Sequence, residues 1–234
     1  MKCYIIHVSN AIDRYKHMEL QLSNKELVYE YIWEGDKKDI TQEILDELFT
    51  GELIPLSAGT SCVYKHILAY RKLVESNDTM ALIFEDDVYL KKSFSENLNK
   101  IEQEIKSRAL KNFVISLEDS NLKYVAGSEK IPNILLYKKL HGRMAGAYLI
   151  DRQAANNILQ SIKNNKCSVP IDWFHNFASE SNLIQIYWSS VILATQGSLD
   201  GSIPPTLDNK STGIFRILSF RIQRLYKKLL YRLI

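Results

Sequence analysis

The sequence feature that most constrains the fold is an apolar run that ends abruptly in three acids. Residues 79–85 read TMALIFE, and Glu85 is followed by Asp86 and Asp87. An apolar run without polar alternation is typical of a strand that is buried on both faces, as in the centre of a parallel sheet. Carboxylates are costly beside a hydrophobic core, so the acids that close this strand indicate a function or a structural partner.

Predicted strands alternate with predicted helices along the rest of the chain. Further strands are predicted over 2–8, 27–33, 112–118, 133–138, 146–150 and 184–195, and helices over 11–22, 39–49, 61–74, 93–107 and 151–164. We expect Thr60 or Ser61 to cap the helix over 61–74. The alternation predicts an α/β fold with a mostly parallel sheet and right-handed crossover connections.

Composition sets the broad class of the chain. With 234 residues and 46% hydrophobic content, the chain has enough apolar side chains for one substantial core. The cysteines Cys3, Cys62 and Cys167 are scattered and match no metal-binding spacing, which predicts reduced thiols in a cytosolic protein. We expect neither a secretory leader nor a membrane span, because no stretch approaches about 18 apolar residues.

Charge is distributed unevenly along the chain. After Asp208 there are seven basic residues and no acid. Removing those seven from the 30 basic residues leaves residues 1–208 with 23 basic and 27 acidic residues, a net charge of −4. An acidic body argues against a nucleic-acid partner. We therefore expect a single α/β domain over 1–208 and a basic tail over 209–234.

The tail has an amphipathic pattern over residues 214–234. On a helical projection its apolar face comprises Phe215, Leu218, Ile222, Leu225, Leu229 and Leu233, and its basic face comprises Arg216, Arg224, Lys227 and Lys228. A basic amphipathic helix is typical of in-plane binding to an anionic membrane surface. The alternative is a terminal helix that packs on the acidic body.

The three acids lie where open α/β sheets bind their ligands, at the carboxyl end of a strand. Glu85 and Asp87 are one residue apart, so in an extended segment they face the same side. Such a pair suits Mg²⁺ or Mn²⁺, which binds carboxylates together with the phosphate oxygens of a substrate. The alternative is that the acids cap a helix or lie exposed in a turn. The sequence has no glycine-rich phosphate loop.

Several ordered motifs resemble a known family. Residues 60–90 carry a Cys-x-x-x-His helix and then the apolar strand that ends in Glu-Asp-Asp. Asn10 and Arg14 follow the first strand, GRMAGAYLIDRQAANNIL spans 142–159, and PIDWFH spans 170–175. In this order the motifs resemble glycosyltransferase family 25, the lipooligosaccharide galactosyltransferase-like enzymes of Gram-negative bacteria, over about residues 2–205.

The resemblance implies a GT-A type, Rossmann-like nucleotide-sugar transferase fold and an inverting, metal-dependent reaction. It places Glu85, Asp86 and Asp87 at the site of the metal, Mn²⁺ or Mg²⁺, and of the donor diphosphate. The expected reaction moves a hexose, galactose first, from a UDP-sugar to a growing lipooligosaccharide acceptor. UDP-glucose or a UDP-amino sugar as donor, or a catalytically silent sugar-nucleotide-binding protein at the membrane, are the alternatives. We expect a cytoplasmic protein, peripheral on the bacterial inner membrane.

Inverting transfer needs a base that deprotonates the acceptor hydroxyl while the nucleotide leaves. Asp172 is the first candidate, and Glu118 and Asp119, at the end of another strand, are the others. Asp172 is equally suited to be the N-cap of a following helix.

Further residues are candidates for binding the metal and the donor diphosphate. Asp87, Glu85 and His175 are the predicted metal ligands, with a core or surface histidine as the alternative for His175. Arg14 suits diphosphate recognition, because its guanidinium is planar, but it also fits a helix surface.

Three more residues are assigned to the donor site. His66 shares an apolar helical stripe with Cys62, which predicts a buried histidine with a structural hydrogen bond; the resemblance implies that it supports the donor site from beneath. Arg143 and Gly146 lie in a small-residue segment that would let the backbone approach a sugar, or merely allow a turn.

Overall fold

The structure is a computed structural model that describes residues 1–119, 123–200 and 203, together with 222–223, 225–227 and 229–230. The strands are β1 Lys2–Ile6, β2 Tyr29–Ile32, β3 Met80–Glu85, β4 Val88–Leu90, β5 Phe113–Ser116, β6 Leu136–Lys139, β7 Ala147–Asp151, β8 Gln185–Ser189 and β9 Ala194–Gln196. The helices are α1 Ile12–Leu22, α2 Gln42–Leu48, α3 Ala58–Glu75, α4 Phe94–Ser107, α5 Arg152–Asn165, α6 Ile171–Glu180 and α7 Gly197–Asp200.

The central sheet has seven strands in the order β2-β1-β3-β7-β5-β8-β6. β1 pairs in parallel with β2 and β3, and β5 pairs in parallel with β8. β7 runs antiparallel to both β3 and β5, and β6 runs antiparallel to β8. Five of the seven strands therefore point the same way, which confirms the expected α/β class with a mostly parallel central sheet. A small second sheet pairs β4 with β9.

Helices cover both faces of the sheet and create two cores. One core joins the sheet to α2, α3, α5 and α6 and includes Ile67, Ile83 and Ile158. The other joins the opposite face to α1 and α4 and includes Met18, Phe84 and Ile101. Because Ile83 and Phe84 are adjacent in β3 and point to opposite faces, both cores depend on the same apolar run.

The neighbours of β3 differ from the prediction of a central parallel strand. β3 is buried on both faces, but it pairs in parallel with β1 alone and antiparallel with β7. An apolar run is a consequence of burial on both faces and carries no information on the direction of the adjacent strand. The prediction was right about the position of β3 and wrong about one of its two partners.

Two boundaries were also predicted wrongly. The single strand expected over 184–195 divides into β8 and β9, which lie in different sheets. Helix α3 begins at Ala58, with Ser57 as its N-cap, because Ser57 Oγ accepts from Thr60 N at 3.1 Å and Thr60 Oγ1 accepts from Ser57 N at 3.1 Å. Thr60 thus completes a capping box as the third helical residue, and it is not the cap itself.

Most of the predicted tail helix lies outside the described residues. The seven described positions between 222 and 230 are helical. Ile222, Leu225 and Leu229, which share the predicted apolar face, are each more than half exposed. In the part of the chain that is described, no helix has both the length and the hydropathy needed to cross a membrane.

Candidate active site

A cavity of about 640 Å³ opens at the carboxyl ends of β1, β2 and β3. The segments that follow these three strands line it, together with residues of α1, α3 and α7. After the strands they are His7, Val8, Ser9 and Asn10, then Asp36, Lys37 and Lys38, then Glu85, Asp86 and Asp87. From the helices they are Arg14, Ser61, Cys62, Lys65 and Ser198. The predicted acids therefore meet at one concave site. β3 ends at Glu85, and Asp86 and Asp87 form a turn, so the expectation of a continuous extended segment was wrong.

Asp86 is held by partners on two other elements. Its Oδ2 lies 2.8 Å from His7 Nδ1 at the end of β1, and its Oδ1 accepts from the guanidinium of Arg14 on α1. Burial raises the pKa of Asp86, but the hydrogen bond with His7 and the charge of Arg14 more than offset this and hold it below its usual value. Asp86 is therefore an ionised anchor of the turn, and Arg14 is not a free surface arginine.

Asp87 is buried, but its carboxylate is only half satisfied. Its Oδ2 accepts from Ser198 N at 3.3 Å, and its backbone carbonyl accepts from Gly197 N at 2.8 Å. Its Oδ1 has no hydrogen-bond partner among the described residues. Burial raises the pKa of Asp87. A buried carboxylate oxygen beside a cavity, without a donor, is suited to a cation.

Glu85 also lines the cavity, and its carboxylate contacts Gln196 and two residues of α3. Its Oε2 accepts from Gln196 Nε2 at 2.9 Å, and its Oε1 lies 3.6 Å from His66 Nε2 and 3.9 Å from Cys62 Sγ. Burial, together with the charges of Asp87 and the other nearby acids, raises the pKa of Glu85 to about 8. The excess of negative charge at this point favours a bound cation.

A chain of hydrogen bonds runs inward from His66. His66 Nδ1 lies 2.8 Å from the hydroxyl of Tyr148, which lies 2.6 Å from the hydroxyl of Tyr70. The Tyr70 hydroxyl in turn lies 2.8 Å from His175 Nε2. Burial lowers the pKa of both histidines to about 3. His66 is thus the buried histidine with a structural hydrogen bond that its helical stripe indicated.

His175 lies at the far end of this chain of hydrogen bonds. Two tyrosine hydroxyls separate it from His66, and it is not among the residues that line the cavity. The structure therefore does not bring His175 together with Glu85 and Asp87. Its geometry is that of a core histidine.

Asp172 lies in the first turn of α6, whose N-cap is Pro170. The N-cap alternative for Asp172 is therefore wrong. The negative charge of Asp172 contributes to the raised pKa of Glu85 and opposes the lowering of the pKa of His66. Burial raises the pKa of Asp172 itself. It does not line the cavity directly.

The other predicted catalytic and donor residues form a buried group that contacts the cavity residue Glu85 through Gly146, whose carbonyl accepts from Glu85 N at 2.8 Å. Glu118 and Asp119 are both buried after β5, and Glu118 Oε1 accepts from Gly146 N at 2.9 Å. The guanidinium of Arg143 donates to the carbonyls of Ser116 at 2.8 Å and Ser189 at 3.0 Å, and burial lowers its pKa to about 10. None of Glu118, Asp119, Arg143 and Gly146 lines the cavity.

The lack of a side chain at Gly146 is required by the packing of a neighbouring residue. A Cβ at this position would lie 2.3 Å from Nε2 of Gln196, far inside contact distance. The absent side chain therefore makes room for the glutamine that holds Glu85.

Some residues of the cavity were missed by the sequence analysis. His7 directly follows β1, so the rule that ligands bind at strand ends would have found it. Lys65 lies three residues after Cys62 on the same helix, and its Nζ lies 3.0 Å from Asp36 Oδ1 and 2.9 Å from the carbonyl oxygen of Glu34. Gln196 and Ser198 reach the acids from a distant part of the chain, and no local pattern marked them.

One family model matches this chain, and several solved structures are similar to it. The model of glycosyltransferase family 25, described as LPS biosynthesis protein, matches residues 1–175. No curated protein matches the sequence. Among solved structures, galactosyltransferase LgtC in complex with donor and acceptor sugar analogs is similar, with 9% identity over 97% of this chain and 96% of that chain and a TM-score of 0.46.

A second similar structure is the inositol-1-phosphate CTP transferase from T. maritima, with 11% identity over 94% of this chain and 96% of that chain and a TM-score of 0.42. With TM-scores below 0.5, neither similarity establishes a property of this chain. The family match, in contrast, covers about three quarters of the sequence and includes the acids of the cavity. The chain belongs to glycosyltransferase family 25, the LPS biosynthesis proteins, and is a glycosyltransferase.

Proposed function

We propose that the protein is an inverting, metal-dependent hexosyltransferase that moves galactose from UDP-galactose to a growing lipooligosaccharide acceptor. The observation that carries the proposal is the buried Oδ1 of Asp87, which has no hydrogen-bond partner among the described residues and lies at the rim of the cavity. Asp87 would hold Mn²⁺ or Mg²⁺ directly, and Glu85 would act on it through a bound water.

The charges around the cavity suit a nucleoside diphosphate. Arg14, Lys37 and Lys38 line the same cavity as the acids, so cationic side chains lie beside the acids of the predicted metal site. Basic side chains attract the diphosphate, and a bound divalent cation supplies the charge neutralisation that lets this group leave. A cavity with carboxylates alone would repel the donor.

Base catalysis is assigned to Asp172. A raised pKa brings a carboxylate closer to the value that suits a general base near neutral pH, and burial raises the pKa of Asp172. The effect of its charge on the pKa values of Glu85 and His66 supports this assignment. Glu118 and Asp119 remain the alternative bases, since both follow β5, which runs in the same direction as β3 and so ends at the same edge of the sheet.

The donor sugar is tested by a screen. The purified full chain is incubated with Mn²⁺ and each of UDP-galactose, UDP-glucose, UDP-N-acetylglucosamine and UDP-N-acetylgalactosamine, with and without a truncated lipooligosaccharide, and released UDP is measured. We expect acceptor-dependent UDP release with UDP-galactose and its loss when EDTA removes the cation. Preference for another donor would replace galactose in the proposal. Binding of UDP-sugars without any release would favour a catalytically silent sugar-nucleotide-binding protein.

We further propose that residues 209–234 hold the catalytic domain, residues 1–208, on the anionic inner face of the bacterial inner membrane. The exposed apolar side chains of Ile222, Leu225 and Leu229 support a face that is free to enter a lipid surface. The basic residues of the tail supply attraction to anionic lipid headgroups, at about 1 kcal/mol for each residue near the surface. A lipid-linked acceptor would be met at that surface.

A further inference from the structure

Three side chains of different chemistry converge at the inner wall of the cavity. Cys62 and His66 are four residues apart on α3, so they lie on the same helical face one turn apart. Glu85, the last residue of β3, faces them from the sheet. The thiol sulfur, the imidazole nitrogen and the carboxylate oxygen all lie within 4.8 Å of one another.

The separations are close to those of a four-coordinate metal site. Zn–S bonds of about 2.3 Å and Zn–N or Zn–O bonds of about 2.0–2.2 Å, in tetrahedral geometry, place neighbouring ligand atoms about 3.3–3.7 Å apart. Glu85 Oε1 lies 3.6 Å from His66 Nε2 and 3.9 Å from Cys62 Sγ. The first separation already lies in this range, and a shift of about 0.2 Å would bring the second into it.

The imidazole of His66 points an unused nitrogen at this cluster. His66 is fully buried, and its Nε2 has no hydrogen-bond partner among the described residues. Its other nitrogen, Nδ1, is engaged by the hydroxyl of Tyr148 at 2.8 Å. A buried ring nitrogen without a partner is costly, whereas a histidine that is oriented through one nitrogen and open at the other has the geometry of a metal ligand.

The carboxylate of Glu85 is also oriented by a residue outside the cluster. Glu85 Oε2 accepts from Gln196 Nε2 at 2.9 Å, which leaves Oε1 directed at Cys62 and His66. Tyr148 is itself held by Tyr70 at 2.6 Å. Partners of this kind orient metal ligands in proteins.

We propose that Cys62, His66 and Glu85 bind a thiophilic divalent cation, Zn²⁺ or Co²⁺, at a site distinct from the oxygen ligand of Asp87. Sulfur and imidazole nitrogen select such cations, whereas Mg²⁺ and Mn²⁺ prefer oxygen. On binding, the thiol of Cys62 and the protonated carboxyl of Glu85 each release a proton to solvent, and the resulting thiolate and carboxylate together balance the charge of the cation. Cys62 and Glu85 line the cavity, so the fourth coordination position is open to water or a ligand there.

The test is optical titration of the full chain with Co²⁺ in the absence of nucleotide. We expect one equivalent of Co²⁺ to give a thiolate-to-cobalt charge-transfer band and intense tetrahedral ligand-field bands, and Zn²⁺ to displace both. Cys62→Ser should abolish the charge-transfer band. Tyr148→Phe should keep the band and weaken Co²⁺ binding about tenfold, because the outer partner of His66 is lost.

Two controls keep the result decisive. Cys3→Ala changes a buried thiol on β1 that lies outside the cluster, and it should leave the spectrum unchanged. Asp87→Asn should leave the Co²⁺ spectrum unchanged as well, whether or not it affects sugar transfer, so the proposal stands or falls independently of the proposed function. A wild-type protein without the charge-transfer band, or a Cys62→Ser variant that retains it while the circular dichroism spectrum shows a folded chain, would overturn the site.

Discussion

The carboxylate of Asp86 joins the guanidinium of Arg14, so that the turn after β3 is tied to helix α1. The same carboxylate bonds His7 at 2.8 Å and is almost fully buried. Asp86 and Asp87 are therefore neighbours with different functions. Both carboxylate oxygens of Asp86 bond other residues of the protein, whereas Asp87 keeps one carboxylate oxygen available for a ligand.

Asp86→Asn should destabilise the fold. The substitution removes a buried negative charge and leaves Arg14 without its ionic partner, at a cost of about 2 kcal/mol after allowance for the partial exposure of the arginine. Urea unfolding followed by circular dichroism measures the change. Glu129→Gln, which breaks the exposed ion pair with Lys139, is the matched control and should cost less than about 0.5 kcal/mol. Equal stability of the two variants would show that Asp86 is not an anchor.

Asp87→Asn should preserve stability and abolish the effect of Mn²⁺ on nucleotide binding. The amide keeps the shape of the side chain but is a much weaker cation ligand than a carboxylate. Isothermal titration of UDP with and without Mn²⁺ should show at least about tenfold tighter binding with the cation in the wild type, or 1.4 kcal/mol. The variant should show no difference between the two conditions. Enhancement by Mn²⁺ that survives in Asp87→Asn would remove Asp87 from the metal site.

Much of the fold could be predicted because burial leaves a strong trace in the sequence. The apolar run that ends at Glu85 is buried on both faces of the sheet, and the strand-end rule then located the acids at the edge of the cavity. The sequence did not indicate that β7 is antiparallel to its neighbours, since a strand buried on both faces has the same side-chain pattern whether it runs parallel or antiparallel to them.

The parts of the site that were missed depend on long-range contacts. Gln196 reaches Glu85 across 111 positions of sequence, and the glycine that makes room for it lies in yet another segment. The burial of Arg143 also depends on long-range contacts. Its guanidinium donates to the backbone carbonyls of Ser116 on β5 and Ser189 on β8, which no local pattern around Arg143 indicated.

The buried histidine of α6 should make the protein sensitive to acid. Burial lowers the pKa of His175 from 6.5 to about 3, and the groups that face it are the hydroxyls of Tyr70 and Tyr148 and, further away, His66. Below pH 6.5 the unfolded chain therefore binds a proton at this residue that the folded chain does not bind. Its contribution to stability is complete above that pH and is lost as the pH falls towards about 3.

His175→Gln isolates this contribution. Glutamine can still hydrogen-bond to Tyr70 but does not titrate, so the loss of unfolding free energy between pH 6.5 and about 4.5 should shrink by about 2 kcal/mol. Urea unfolding at a series of pH values measures the slope. Phe177→Leu, at an exposed position on the same helix with no titratable group, is the control and should leave the slope unchanged. The same slope in His175→Gln and the wild type would contradict a buried neutral histidine.

Asp172→Asn should reduce turnover far more than donor affinity. A general base contributes about 10²–10⁴ to the rate, whereas a residue beyond the lining of the cavity should change UDP binding little. We therefore expect kcat to fall by at least about a hundredfold, with the Kd for UDP and Mn²⁺ within about threefold of the wild type.

Glu118→Gln separates the competing assignments of the base. The amide oxygen can still accept from the backbone N–H of Gly146, so the local structure should be kept. If Asp172 is the base, Glu118→Gln retains most of its turnover. A large loss of kcat in Glu118→Gln together with near-normal turnover in Asp172→Asn would transfer the assignment to the end of β5.

Deletion of residues 214–234 should release the protein from anionic vesicles without loss of soluble-donor hydrolysis. The described apolar residues of the tail are exposed, so the catalytic domain gains little packing from them. Vesicle co-sedimentation with phosphatidylglycerol and with pure phosphatidylcholine measures binding, and we expect the full chain to bind the anionic vesicles alone. Leu225→Glu with Leu229→Glu keeps the length of the tail and should weaken binding as strongly as the deletion. A deletion that leaves vesicle binding unchanged but lowers the thermal unfolding temperature would instead show that the tail packs on the acidic body.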